Sequence, residues 1–131
     1  MLPFIPELKQ ILYCDFSDGN PHQPPEMRKT RAVVVISKRK HNRDLVTVLP
    51  FSTSPPTSKS SAKQVYFIKK HTYDTIHSDS WIKCSCIASV ARSRLKGVKK
   101  KSSFINVFMS DKDYENICNV LRYTLNLPKN T

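Results

Sequence analysis

RAVVVISKRKHNRDLVTVLPFSTS, residues 31–54, carries the pattern that decides the fold. An unbroken β-branched run, Val33 to Ile36, is followed by a charged turn at 38–44 and a second apolar run at 45–49. Short apolar runs rich in valine and isoleucine and bounded by turn residues fit buried strands. Residues 32–36 and 45–49 are therefore expected as strands, with Pro50 ending the pairing of the second because it lacks an N–H. If the two form a hairpin, Arg31 at the start of one strand lies near Ser52 and Thr53 at the end of the other.

Reading outward, QILYCDF at 10–16 alternates and forms an earlier strand. Residues 17–30 hold Gly19, Asn20 and three prolines, and are expected as a long loop of the kind that often carries function in small domains. Downstream, 51–63 is a loop of hydroxyls and prolines, 64–68 a strand, 69–80 a polar connection and 81–90 a further strand. Residues 92–103 form a basic connection with at most one helical turn, and 104–109 are extended. The last segment is helical: Ser110 is the expected N-cap, Asp111, Asp113 and Glu115 suit the positive end of the helix, and Pro128 stops it. Tyr114, Ile117, Cys118, Leu121 and Leu125 share one face. The expected class is mainly β, a strongly bent antiparallel sheet or open barrel of about five to six short strands with a C-terminal helix, in a single domain over 1–131.

The chain has 131 residues with 22 Lys+Arg against 10 Asp+Glu, a formal charge of +12. The cations cluster. Arg28, Lys29, Arg31, Lys38, Arg39, Lys40 and Arg43 make one group, and Arg92, Arg94, Lys96, Lys99, Lys100 and Lys101 a second, with no acid between Ser80 and Phe108. Such clusters favour a polyanionic partner, because each cation on a phosphate releases a counterion. Without a basic amphipathic helix beside them, nucleic acid is favoured over a membrane surface. No stretch approaches the roughly 20 apolar residues of a membrane span, and MLPFIPELKQ lacks a signal core, so a cytoplasmic location is expected. Cys14, Cys84, Cys86 and Cys118 lack zinc spacing and fit reduced, partly buried thiols; no metal and no cofactor is expected.

The loop before residue 31 offers His22, Glu26 and Arg31, and the segment after 49 offers Ser52, Thr53 and Ser54. A carboxylate, a guanidinium and hydroxyls suffice in principle for cleavage of RNA by its own 2′-hydroxyl. That reaction needs a base for the 2′-OH, a cation for the transition-state phosphate and an acid for the departing oxygen. Arginine suits the second task because its fork grips two phosphate oxygens.

The ordered segments ILYCDF, PEM-x-x-x-R-x-VVVIS, TVLPFSTS, WIKCSCIASVARSRL and SDKDYENICNVLRYTLNL resemble the PemK/MazF family of toxin endoribonucleases, from about residue 10 to 127. The resemblance implies a small SH3-like barrel and a homodimer. It also implies metal-independent, sequence-specific cleavage of single-stranded RNA to 2′,3′-cyclic phosphate and 5′-hydroxyl ends, blocked by a cognate antitoxin protein. It assigns Arg31, Glu26, Ser52 and Lys83 to catalysis, with Lys83 standing where relatives carry an arginine. His22, Arg28, Lys29, Thr53, Ser54, Ser85 and Arg92 are expected to contact RNA. Two departures stand out. Ala32 replaces a proline after the arginine, and Ser85 replaces an aspartate that can serve as base. The second departure supports an alternative, a non-catalytic toxin or binding module on the same fold, like the relatives that poison gyrase. His71 and His77 are expected as surface residues, Trp81 as core or dimer surface, and Lys99 to Lys101 as a general electrostatic patch.

Overall fold

The computed structural model describes residues 2–17 and 29–128. Ten short strands run in chain order: β1 (Gln10–Asp15), β2 (Thr30–Val35), β3 (Leu45–Ser52), β4 (Val65–Ile68), β5 (Ser80–Lys83), β6 (Ala88–Ala91), β7 (Leu95–Lys96), β8 (Val98–Lys100), β9 (Ser103–Ile105) and β10 (Val107–Phe108). A one-turn helix, α1 (Lys59–Ala62), precedes β4, and the long helix α2 (Asp111–Leu125) closes the chain. The main sheet has the order β10-β1-β2-β3-β5-β4, with β6 also on β3 and β7 also on β1; β8 and β9 form a separate pair. Every pairing is antiparallel. The mainly-β class with a C-terminal helix is thus as expected, built from more and shorter strands than the sequence suggested.

The valine run does not alternate with polar residues because both faces of the sheet are covered. Successive side chains of a strand point to opposite faces. Ile11, Val34, Leu49 and Phe51 enter one apolar cluster with Ile82 and with Ile117 of α2. Leu12, Val33, Val35, Val46 and Val48 enter a second cluster with Leu2 and Val90. The N-terminal segment and α2 therefore cover opposite sides of the central strands.

Three expectations about strand limits change. Pro50 does not end β3: it pairs across to Val33, and the strand continues to Ser52. On its other side β3 leaves β6 after Val48 and takes up β5 at Phe51, so the residue without an N–H falls in the gap between two partners. The expected strand at 81–90 is two strands, broken by a 3-10 turn at Cys84–Cys86 that lets the chain pass from β5 to β6. The basic connection contains a 3-10 turn at Arg92–Arg94 and then β7 and β8.

Helix α2 starts as expected, with the Ser110 hydroxyl accepting from the Asp113 N–H. Its end is set by Asn126, which takes the left-handed conformation (φ 53°) while the Leu127 N–H returns to the Arg122 carbonyl at 2.9 Å. Pro128 lies beyond that cap. Ile117 is buried, and Leu125, expected on the same face, is exposed. The Asp113 carboxylate accepts from the Tyr66 hydroxyl (2.8 Å) and the Tyr73 hydroxyl (2.5 Å), tying β4 and the β4–β5 connection to the first turn of the helix. The turn before β3 is held by fully buried Asn42. Its amide donates to the carbonyls of Pro6 (2.9 Å) and Ser37 (3.0 Å), and its oxygen accepts from the Ser37 hydroxyl.

Candidate functional site

Arg31 is the second residue of β2, opposite Cys14 of β1. Its neighbours Val33 to Val35 are fully buried, so the start of the strand is fixed by the core. The guanidinium stem runs inward. Its Nε is shielded from solvent and, among the described residues, has no hydrogen-bond partner. A buried polar group without a partner is unfavourable.

Arg31 also lines an open cavity of about 320 Å³. Tyr13, Lys29, Arg31 and Phe51 form one wall, and Thr53 marks the end of β3. The opposite wall is the end of the β4–β5 connection, with Thr75, His77, Ser78 and Ser80. The walls meet because β3 is shared: Val33 pairs with Pro50 on one side, and Ser52 pairs with Trp81 on the other. Among the described residues the lining holds cations and hydroxyls and no carboxylate. A second buried oxygen there, Thr75 Oγ1, is also without a partner, on a residue only 6 % exposed. A lining with Arg31, Lys29 and several hydroxyls, and no carboxylate among the described residues, suits an anion with several oxygens, such as a phosphodiester.

The residues expected from the sequence divide into three groups. Arg31, Lys29 and Thr53 come together in the cavity. Ser52, Ser54, Lys83, Ser85 and Arg92 lie outside its lining. Ser52 is 3 % exposed and its hydroxyl accepts from the Ser54 N–H at 3.2 Å, so it shapes the turn that presents Thr53. Lys83 pairs with Val65 at the far end of β5, and Ser85 is exposed on the 3-10 turn after it. Arg92 reaches back to the Arg43 carbonyl at 3.1 Å. His22, Glu26 and Arg28 fall outside the described residues.

Sequence reasoning missed Thr75, His77, Ser78 and Ser80. Their signal was TIHSDS, a polar run with a histidine among hydroxyls. Nothing linear sets it opposite Arg31, since that follows only from β3 holding both β2 and β5. The connection is well fixed. The His71 N–H bonds the Ile76 carbonyl at 2.6 Å, the Lys70 N–H bonds Asp79 at 2.9 Å, and Ile76 is buried. Behind the cavity, burial pushes the Cys14 thiol up to about 11, with Arg94 opposing, so it stays neutral beside Arg31.

Among the described residues no helix is long and apolar enough to cross a membrane. No curated protein matches the chain in sequence. Solved structures do match in shape. One is an endoribonuclease in complex with its cognate antitoxin from a mycobacterial species, at TM-score 0.61 and 13% identity, covering 96% of this chain and 98% of that one. Another is the Mycobacterium tuberculosis toxin MazF-mt6, at TM-score 0.62 and 12% identity, covering 90% and 98%. At that identity the likeness concerns the fold. The sequence profile of the PemK-like, MazF-like toxins matches residues 8–125, which include both walls of the cavity. With a match over nearly its whole length, the chain belongs to the PemK-like, MazF-like toxins of type II toxin–antitoxin systems.

Proposed function

We propose that this toxin is an endoribonuclease that cuts single-stranded RNA in the cavity between β2 and the β4–β5 connection. The observation that carries this is Arg31, which lines an open cavity together with Lys29, Thr53 and His77 and, among the described residues, no carboxylate. In this reading the guanidinium and Lys29 hold the scissile phosphate, and Thr53 and Thr75 donate to its remaining oxygen. The 2′-oxygen attacks phosphorus, the bond to the 5′-oxygen breaks, and 2′,3′-cyclic phosphate and 5′-hydroxyl ends result. Electrostatic stabilisation of the transition-state charge is the largest contribution expected from such a site. The reaction needs no metal and the protein acts in the cytoplasm as a homodimer. A cognate antitoxin, carrying acidic residues to match the +12 chain, blocks the cavity.

The test is incubation of long single-stranded RNA with the protein in EDTA, with Arg31→Ala as control. Cleavage giving 5′-hydroxyl ends, lost in the variant, is expected. Products with 5′-phosphate, or full activity in Arg31→Ala, would overturn the reading. Ser85, where the resemblance implies an aspartate, favours one alternative, a toxin that binds without cutting. Growth arrest with intact cellular RNA would select it.

A further inference from the structure

We infer that His77 is the general base of the cleavage reaction, a role that rests on the nuclease reading above. Among the described residues lining the cavity no carboxylate is present to act as base, and Glu26 lies outside the described residues. Lys83 and Ser85 lie outside the lining. His77 lies in the lining, on the wall opposite Arg31. Imidazole is the side chain best suited to take up a proton near neutral pH.

The scaffold around His77 is built to present it. Ile76 before it is 3 % exposed, and Ser80 after it is 4 % exposed with its hydroxyl on the Ser78 carbonyl at 2.9 Å. Tyr73 anchors the same connection to Asp113 of α2. His77 itself is exposed, on a connection whose Ile76 and Ser80 are seated in the core. Thr75 Oγ1 in the same wall is buried and, among the described residues, without a partner.

In the reaction, the neutral His77 ring takes the proton of the 2′-hydroxyl as that oxygen forms its bond to phosphorus. The bond from phosphorus to the 5′-oxygen breaks, and the departing oxygen takes a proton from water. The charged and titratable groups facing His77 are Tyr13, Lys29 and Arg31 across the cavity and His71 beside it, with ring centres 6.3 Å apart.

The experiment is single-turnover cleavage of one long single-stranded RNA between pH 5 and 9, by the unaltered protein, His77→Gln and His71→Gln. The expected result is a rate about 100-fold or more lower in His77→Gln, with loss of the rise in rate that the unaltered protein shows through the imidazole range. Binding of the same RNA with 2′-O-methyl groups should be unchanged within about twofold, which separates a lost base from a lost fold. His71→Gln should keep both rate and profile. An unchanged rate and pH profile in His77→Gln would overturn the assignment while leaving the nuclease reading intact. Absence of cleavage by the unaltered protein would overturn both.

Discussion

Replacing Arg31 by methionine should make the free protein more stable while abolishing its activity. The Nε of Arg31 is buried and unpartnered among the described residues. Such a donor costs about 1–3 kcal/mol in the free fold. Methionine extends only as far as the Nε position and carries no donor, and it removes one cation from a chain of net charge +12. In a domain of this size about 1 kcal/mol corresponds to roughly 4 °C in Tm. Arg31→Met should therefore raise Tm by about 4–12 °C, read by thermal unfolding at fixed pH and salt. Losing a charge-assisted donor to the transition state lowers the rate by about 10²–10³. Cleavage of single-stranded RNA under single-turnover conditions measures that. Arg31→Lys keeps the charge but not the fork, and should fall between. A lower Tm in Arg31→Met would mean that the guanidinium is already satisfied in the free protein, and the reasoning from its unpartnered Nε would fail.

Three further outcomes test the rest of the frame. Asp113→Ala removes the acceptor of two tyrosine hydroxyls that are only partly buried, and should cost about 2–4 kcal/mol in urea unfolding; Tyr73→Phe should cost about 1 kcal/mol. Asn42→Leu leaves two carbonyls and the Ser37 hydroxyl without their partner in a fully buried site, and should destabilise by about 2–4 kcal/mol in the same assay. Burial pushes the Cys14 and Cys84 thiols from 9.0 up to about 11 and about 12. The unfolded chain therefore releases those protons first, so stability is intact below pH 9 and falls as pH rises from there toward pH 11–12. The slope should reach about 1.4 kcal/mol per pH unit for each thiol, and unfolding titrations at pH 8 to 10.5, with Cys84→Ala as control, would show it.

The sequence was most informative where one residue type has one physical use. Val33 to Ile36 could only be buried, and Ser110 with its three-residue spacing to Asp113 could only begin a helix. Val33 to Val35 are buried and Ser110 caps α2 as expected, while Ile36 is only partly buried, just past the end of β2. Pro50 was misjudged because a proline ends a ladder only where its nitrogen faces a partner, and here the strand is changing partners. Residues 81–90 alternate like one strand, yet the chain must turn at Cys84 to reach the other flank of β3. Half of the site was legible because Arg31 and Thr53 lie on adjacent strands close in sequence. The other half was not, because Thr75 and His77 reach the cavity through a pairing, Ser52 with Trp81, that spans a long polar insertion. A polar loop on paper is a polar loop whichever wall it faces.

β3 touches both halves of this site, and that bears on affinity. One unbroken strand carries the Arg31 wall on one flank and the β5 wall on the other. The described walls cannot part without breaking pairings of the central sheet. A protein whose binding-competent state is a minor population sees its affinity divided by that fraction. In the structure Arg31 already stands against Thr75 and His77, so on the proposed reading RNA would meet these walls assembled. Restraint would then come from outside, by something that occupies the space between the walls.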